Sequence, residues 1–515
     1  MKATGKVWLL GAGPGAPGLI TMAGSACLAQ ADVVVYDRLA HPHVLDLAPR
    51  EAERIYVGKQ SESHTMGQAD INDLLIARAR EGKRVVRLKG GDSFVFGRGG
   101  EEAEALASAG VPFAVAPGVS SAVAAPAYAG IPITHRGLAS SFAVVTGHED
   151  PTKEGSSINW ANLATGVDTL VFLMGVKSLP MIVDELLQHG RPADTPAAVI
   201  EWGTLPRQRT VSGTLVDIVD RVAEVRLGPP AVTVVGEVVR LRESLRWFDQ
   251  RPLFGKRVLV TRTRRQASAL TQALSEAGAE PIELPTIEIE PRADDTSVQA
   301  AIRALQGGRY RWVVFTSANG VDLFFEPLRR RGLDARAFAS SKVAAIGPGT
   351  AEALAARGIL ADVVPDEFVA EGLLRALASE EMGGQWVLLP RAEGGRRELV
   401  DGLNAMGARV DELPLYAATV PREPDAEGLR RLRAGDVNVV ALASSSAARN
   451  LVQMLGGDVE PLARALIACI GPVTARTVEE MGLVAPLVAE EHTIIGLVQA
   501  LEEHFSPVSS ERVRV

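Results

Sequence analysis

Short aliphatic runs of strand length recur along the chain, at 7–10, 33–36, 85–88, 142–146, 169–173 and 231–235, with helix-length segments between them. Strands that alternate with helices predict an α/β architecture. Apart from Arg87 the runs carry no charge and do not alternate, as expected of strands covered on both faces.

A charged, aromatic stretch interrupts this rhythm at 240–256, RLRESLRWFDQRPLFGK, and each side restarts with a strand. We read 246–255 as a linker or hinge between two parts. Beyond it the chain echoes itself: VLVTR at 258–262 matches VLLPR at 387–391, GAEPIELP at 278–285 matches GARVDELP at 407–414, and IGPGTA at 346–351 matches IGPVTA at 470–475. So long a repeat does not fit a solenoid and predicts two similar α/β lobes facing each other across a cleft, where ligands bind in such folds. The polar end, 508–515, reads as a disordered tail.

Composition narrows the chemistry. A chain of 515 residues, 47% hydrophobic and 5% aromatic, suits several aliphatic α/β layers. Its net charge of -8 argues against a nucleic-acid partner, which calls for a basic field. Cys27 and Cys469 are too far apart for a disulfide framework or a metal-ligand spacing. No metal is expected, no run of about 18 apolar residues suggests a membrane segment, and the expected location is the cytoplasm.

The segment GAGPGAPG at 11–18 follows a strand, and Asp37 closes the next one, as in a dinucleotide site. Pro14 and Pro17, however, remove backbone N–H donors from the turn that would cradle a pyrophosphate. Such a loop suits a ligand without phosphates, and S-adenosylmethionine is one; a plain strand-to-helix turn is the other reading. A second glycine-rich segment, LKGGDSFVFGRGGEE at 88–102, again lies between a strand and a helix, where paired glycines admit close backbone approach.

Here the chain resembles a known family. GAGPG, VVYDRL, VGK, GGDSFVFGRGGEE, APGVSSAVAAPAYAGIPITHR, VTGHE and FLMGV occur in the order of the tetrapyrrole methylases, and of uroporphyrinogen-III C-methyltransferases in particular, over 7–241. The resemblance implies a two-lobed methylase fold over 1–245, S-adenosylmethionine as methyl donor, uroporphyrinogen III as acceptor and a homodimer formed through this half. Its cofactor contacts carry over to Pro14, Gly90, Gly91, Asp92, Val95, Ser120, Ser121, Met174 and Gly203. Its acid–base pair carries over to Asp37 and Lys59, with strand-end capping or a ribose contact as other roles for Asp37 and a carboxylate clamp for Lys59. Because the acceptor is a polycarboxylate, Arg38, Arg98, His135 and Arg136 are candidate substrate contacts. Ser93 stands where the family usually has proline.

The second part shows no nucleophile–base order and no phosphate loop. Small polar residues and arginines sit at strand ends instead: Ser317, Ser444, Arg262 and Arg391, a receptacle suited to carboxylates. VLVTR, FTSANGV, AIGPGTA, LLPRAEG, LPLYAAT and IGPVTA resemble the uroporphyrinogen-III synthases over 256–507. The resemblance implies one lobe at about 256–290 plus 421–507, the other at about 293–416, and hydroxymethylbilane as substrate. Tyr416 matches the tyrosine suspected of helping the terminal hydroxyl leave, and Thr474 follows as a substrate contact; packing or capping are their other roles. With no strong acid or base in these motifs, conformational control of ring closure is expected. A methyltransferase whose second part only binds a tetrapyrrole is the alternative. An NAD-dependent oxidoreductase is opposed by the two prolines.

Overall fold

The structure is a computed structural model that describes residues 4–58, 66–148, 156–261, 264–292, 295–395, 397–484 and 486–506. Two candidate residues, Lys59 and Arg262, and the tail 508–515 lie outside the described residues. Four five-stranded sheets organise the rest.

The first sheet contains β1 (Lys6–Gly11), β2 (Val33–Tyr36), β3 (Glu53–Tyr56), β4 (Arg84–Lys89) and β5 (Phe113–Ala116) in the order β3-β2-β4-β1-β5, all parallel. Val7, Leu9, Leu10, Val33, Val34, Val35, Val85, Val86 and Leu88 have no exposed surface, which is why these strands read as aliphatic runs, broken in β4 by Arg87. Parallel strands bring the loops after β1, β2, β4 and β5 to one edge.

The second sheet holds β6 (Phe142–Thr146), β7 (Thr169–Leu173), β8 (Pro196–Glu201), β9 (Arg209–Thr214) and β10 (Ala231–Val235), ordered β6-β7-β10-β8-β9. Here only β6 and β7 are parallel; β10 runs antiparallel to β7 and β8, and β8 to β9. The turn at 202–208 is too short for the crossover a parallel pair requires.

Past the strap at 246–255 the chain lays down β11 (Arg257–Val260) and β12 (Glu280–Glu283) and then crosses over. It builds β13 (Glu288–Pro291), β14 (Trp312–Phe315), β15 (Lys342–Ala345), β16 (Trp386–Ala392) and β17 (Arg409–Thr419), and returns for β18 (Val439–Leu442), β19 (Leu466–Cys469) and β20 (Leu487–Val488). The sheets are ordered β12-β11-β18-β19-β20 and β13-β17-β16-β14-β15. The crossing falls before Glu288, because β13 pairs antiparallel with β17; the second lobe thus takes in residues that the sequence had left to the first.

The repeat is real but permuted. Strands β11, β12, β18 and β19 correspond to β16, β17, β14 and β15, so the second lobe begins with the elements that end the first. The Ala344–Val363 bridge stands where β20 pairs with β19. Each lobe also contains a further echo that the sequence reading missed, EFVAEGL at 367–373 and EHTIIGL at 491–497. In both, a Cβ on the glycine would lie 2.1 Å from the carbonyl oxygen of the preceding glutamate, at Gly372–Glu367 and Gly496–Glu491.

The stretch expected to be a linker or hinge is packed on both sides. Phe248 is 4% exposed, with its ring 4.8 Å from Tyr128 and 5.4 Å from Phe254, and Trp247 Nε1 donates to the Ala127 carbonyl at 3.0 Å. Leu253 is fully buried with Val258, Leu274 and Leu501 of the first lobe. Among the described residues no helix is long and apolar enough to cross a membrane.

Candidate active sites

Three glycines bring the loops of the first sheet into contact. A Cβ on Gly118 would lie 2.2 Å from the Gly91 carbonyl oxygen and 2.6 Å from Gly11 Cα, and one on Gly11 would lie 2.5 Å from Gly118 Cα. Gly13 and Gly91 exchange backbone hydrogen bonds at 3.1 and 2.7 Å. Asp92 fastens the cradle: Oδ1 accepts from Phe94 N at 2.8 Å and Oδ2 from Gly118 N at 2.9 Å.

The second sheet closes this cradle from the other side. Ala16 N donates to Thr204 Oγ1 at 3.0 Å, and a Cβ on Gly203 would lie 2.5 Å from Ala125 Cβ. Ser120 caps the helix Ser121–Tyr128, accepting from Ala122 N at 3.3 Å. Gly91, Asp92, Ser121 and Gly203 belong to the loops and helix so joined, a Cβ on Gly91 lying 3.8 Å from Ser121 N, with Pro14, Gly90 and Ser120 beside them in sequence; Val95 and Met174 are exposed. Of six non-glycine residues with positive φ among the described residues, Phe96, Arg98, Met174, Trp202 and Thr204 lie in the loops after β4, β7 and β8, and Arg226 lies elsewhere. Strained backbone of this kind concentrates at functional sites, and no sequence pattern marks it for residues other than glycine.

Asp37 ends β2 beside the cradle, its side chain 26% exposed. Oδ1 accepts from Leu39 N at 3.1 Å, and Oδ2 faces Arg87 Nη2 at 3.5 Å. Behind it lies an ionic network that the sequence reading missed. Arg87 Nε and Lys89 Nζ both donate to Glu102 Oε1, at 3.2 and 2.9 Å, and all three residues are buried. Burial lowers the Lys89 pKa and Arg87 lowers it further, while Glu102 opposes both. The available signal was a pair of charges, i and i+2, inside an otherwise aliphatic strand.

The remaining candidates of this half are more peripheral. Arg38, His135 and Arg136 are exposed, and Arg98 is paired with Glu101 at 2.6 Å. Ser93 is fully buried, and its hydroxyl lacks a partner.

In the second half, each lobe presents a serine-capped helix beyond its sheet. Ser317 Oγ accepts from Gly320 N at 3.0 Å and Ser444 Oγ from Ala447 N at 3.1 Å. Tyr416 reaches from β17 to Ser317 beyond β14, with its hydroxyl 2.8 Å from Oγ. Burial raises the Tyr416 pKa; hydrogen bonds from Ser317 and Asn319 pull it back. Thr350 and Thr474 are 5% exposed in the paired Gly-Pro turns, where Phe368 lies against Gly347 and His492 against Gly471. Arg391, expected at the cleft surface, is turned inward: it is 6% exposed and 3.7 Å from Glu412. It sits on β16 with its guanidinium under the loop that follows, where a Cβ on Gly395 would lie 2.1 Å from Nη2. Among the described residues no group of His, Cys, Asp and Glu could hold a metal ion.

Comparison with known proteins agrees with this division. The family model of tetrapyrrole (corrin/porphyrin) methylases matches residues 6–219, and that of uroporphyrinogen-III synthase HemD matches 268–499. The porphyrin biosynthesis protein HemD of Ruminiclostridium josui is 38% identical over 501 residues, covering 97% of this chain and 98% of that protein. The uroporphyrinogen-III C-methyltransferase of Bacillus subtilis is 41% identical over 363 residues, 70% of this chain and 74% of its own length. Among solved structures, the native form of uroporphyrin III C-methyl transferase from Thermus thermophilus matches 46% of this chain and 100% of its own at 43% identity, with a TM-score of 0.40.

Proposed function

Since the chain belongs to the tetrapyrrole methylases through its first half and to the uroporphyrinogen-III synthases through its second, we propose that it catalyses two successive steps of tetrapyrrole biosynthesis. The second half closes hydroxymethylbilane to uroporphyrinogen III with inversion of the last ring. The first half methylates that product with S-adenosylmethionine to precorrin-2. The observation that carries this reading is the cradle of Gly11, Gly91 and Gly118 with Asp37 beside it.

The cradle suits S-adenosylmethionine because its close contacts are backbone on backbone and Pro14 offers no donor to a phosphate. Bound there, S-adenosylmethionine supplies a methyl group already activated on a sulfonium. Gly90, Gly91, Ser120, Ser121 and Gly203 form its walls, Val95 and Met174 its rim, and Asp92 holds the two loops together. The residues then have to orient a pyrrole carbon for in-line approach, which delivers much of the acceleration. Asp37 takes the proton that leaves the ring system, with Lys59 as its acid partner. Arg38, Arg98, His135 and Arg136 meet carboxylates at the mouth.

In the second half, Tyr416 hydrogen-bonds the departing hydroxyl, while Ser317, Ser444, Thr474 and the helix N-termini beside them hold carboxylates, with Arg262 a further contact. Two copies associate through the first half, where the edge strand β5 exposes Phe113 and Val115.

Anaerobic incubation of the protein with hydroxymethylbilane and S-adenosylmethionine tests both activities, read by isomer and methyl count. Dimethylated type III product supports the proposal. Unmethylated type III product sinks the methyl-transfer reading. Methylation only of supplied uroporphyrinogen III leaves the second half a binding module.

A further inference from the structure

We propose that Glu102 is a positioning residue of the methyl-transfer site, which fixes the Asp37 carboxylate through Arg87. The inference rests on the reading of Asp37 as the base of that reaction.

Strand β4 points Arg87 and Lys89 to the same face, two residues apart, under the loop that begins at Gly90. Glu102 comes up to them from the first turn of the helix Gly99–Ser108 and has no exposed surface. Its Oε1 accepts from Arg87 Nε at 3.2 Å, Lys89 Nζ at 2.9 Å and Gln68 Nε2 at 3.2 Å, while its Oε2 is buried without a partner.

Every nitrogen of Arg87 is thereby committed. Nε meets Glu102, Nη1 donates to the carbonyls of Val35 at 3.3 Å and Leu88 at 3.1 Å, and Nη2 faces Asp37 at 3.5 Å. A planar guanidinium held on three sides presents its fourth in a fixed direction. Two buried cations against one buried carboxylate leave an excess of positive charge, and Asp37 is the group that balances it while still reaching the open site.

Stability gives no reason for this arrangement. Well-packed apolar residues commonly replace a buried ionic triad without loss, and a buried oxygen left unpaired carries a cost. Holding Asp37 in one orientation accounts for that cost, because a base has to meet its proton within hydrogen-bond reach.

The experiment is a double-mutant cycle in the full-length protein, with Glu102→Gln, Asp37→Asn and both together. Methyl transfer to uroporphyrinogen III is followed anaerobically, and S-adenosylmethionine binding by calorimetry. Glu102→Gln is expected to lower kcat about tenfold or more in the parent and less than about twofold further in the Asp37→Asn background, with the dissociation constant changed less than about twofold. An equal fall in kcat in both backgrounds overturns the inference, as does weakening of S-adenosylmethionine binding in step with the loss of rate. Full activity of Asp37→Asn removes Asp37 as the base and this inference with it. An unmethylated product from the unsubstituted protein instead rejects the methyl-transfer reading as a whole. If Glu102→Gln does not fold, Arg87→Lys replaces it, since an ammonium can meet Glu102 or Asp37 but cannot bridge them; the same non-additivity with Asp37→Asn is expected.

Discussion

Burial pushes the Tyr416 phenol up, and the Ser317 hydroxyl 2.8 Å away pulls it back, so Tyr416 is a protonated donor with a partner to steady it. Removing the hydroxyl with Tyr416→Phe should slow formation of uroporphyrinogen III about tenfold to a hundredfold, read by quenched assays from hydroxymethylbilane; an unchanged rate takes Tyr416 out of the reaction. His41 makes a different, pH-dependent prediction. Its pKa is lowered from 6.5 to about 4, by burial first and then by His43 and Arg207, while Nδ1 accepts from His43 N at 3.2 Å and caps a short helix. Above the unfolded value the ring is neutral in both states and contributes nothing. As the pH falls from there towards 4 the unfolded chain takes up a proton that the folded one refuses, and stability is lost. Asparagine caps helices well and does not titrate, so His41→Asn should show a smaller fall in Tm between about pH 7.5 and about pH 4.5 than the parent. Equal falls would mean that other groups set the acid limit. At this scale the sequence put Asp37 at the end of a recognisable strand, where the structure has it, but gave no place to Arg87, Lys89 and Glu102, whose meeting depends on a helix packing back onto a strand.

The glycine loops work as elements because backbone meets backbone. Gly118→Ala would place a methyl 2.2 Å from the Gly91 carbonyl oxygen and 2.6 Å from Gly11 Cα, so two loops must part before it fits. Loss of measurable S-adenosylmethionine binding with the fold retained, by calorimetry and circular dichroism, is the expected result. Gly100→Ala is the contrast: its Cβ meets nothing within 4 Å inside the helix Gly99–Ser108, so it should leave binding unchanged and stabilise by about 0.4–1 kcal/mol. Tight binding by Gly118→Ala would show that the cradle opens without cost. The strands themselves were legible because continuous aliphatic runs identify buried parallel strands. The antiparallel course of β10 was not, since a covered antiparallel strand carries the same apolar run. The permuted repeat was half legible: matching segments announced two lobes and the family resemblance put the crossing near 290, but only pairing reveals that β13 joins β17.

The halves meet at a particular end of the first synthase lobe, and this bears on how one product becomes the next substrate. Arg207, beside the methylase loops and over the Trp202 ring at 3.7 Å, feels the charges of Glu280 and Arg431; Glu280 is the first residue of β12. A Cβ on Gly255, just before β11, would lie 4.0 Å from the Pro206 carbonyl oxygen. Strands β11, β12, β18 and β19 are parallel, so these contacts lie at their N-terminal ends, whereas Ser444 and Thr474 follow the C-terminal ends. A four-residue strand separates the two ends by about 13 Å before any loop is added. The strand ends that carry Ser444 and Thr474 therefore lie away from the methylase loops, and the packed strap at Phe248 and Leu253 joins the two halves. On the proposed function, a product formed beside Ser444 and Thr474 enters solvent before it is methylated, and tethering acts only through local concentration. Isotope dilution reads this directly. When labelled hydroxymethylbilane is converted in the presence of excess unlabelled uroporphyrinogen III, label in the dimethylated product should fall in proportion to the added pool. Label retained above that proportion would require a covered route between the sites, and hence a different placement of the two halves during turnover.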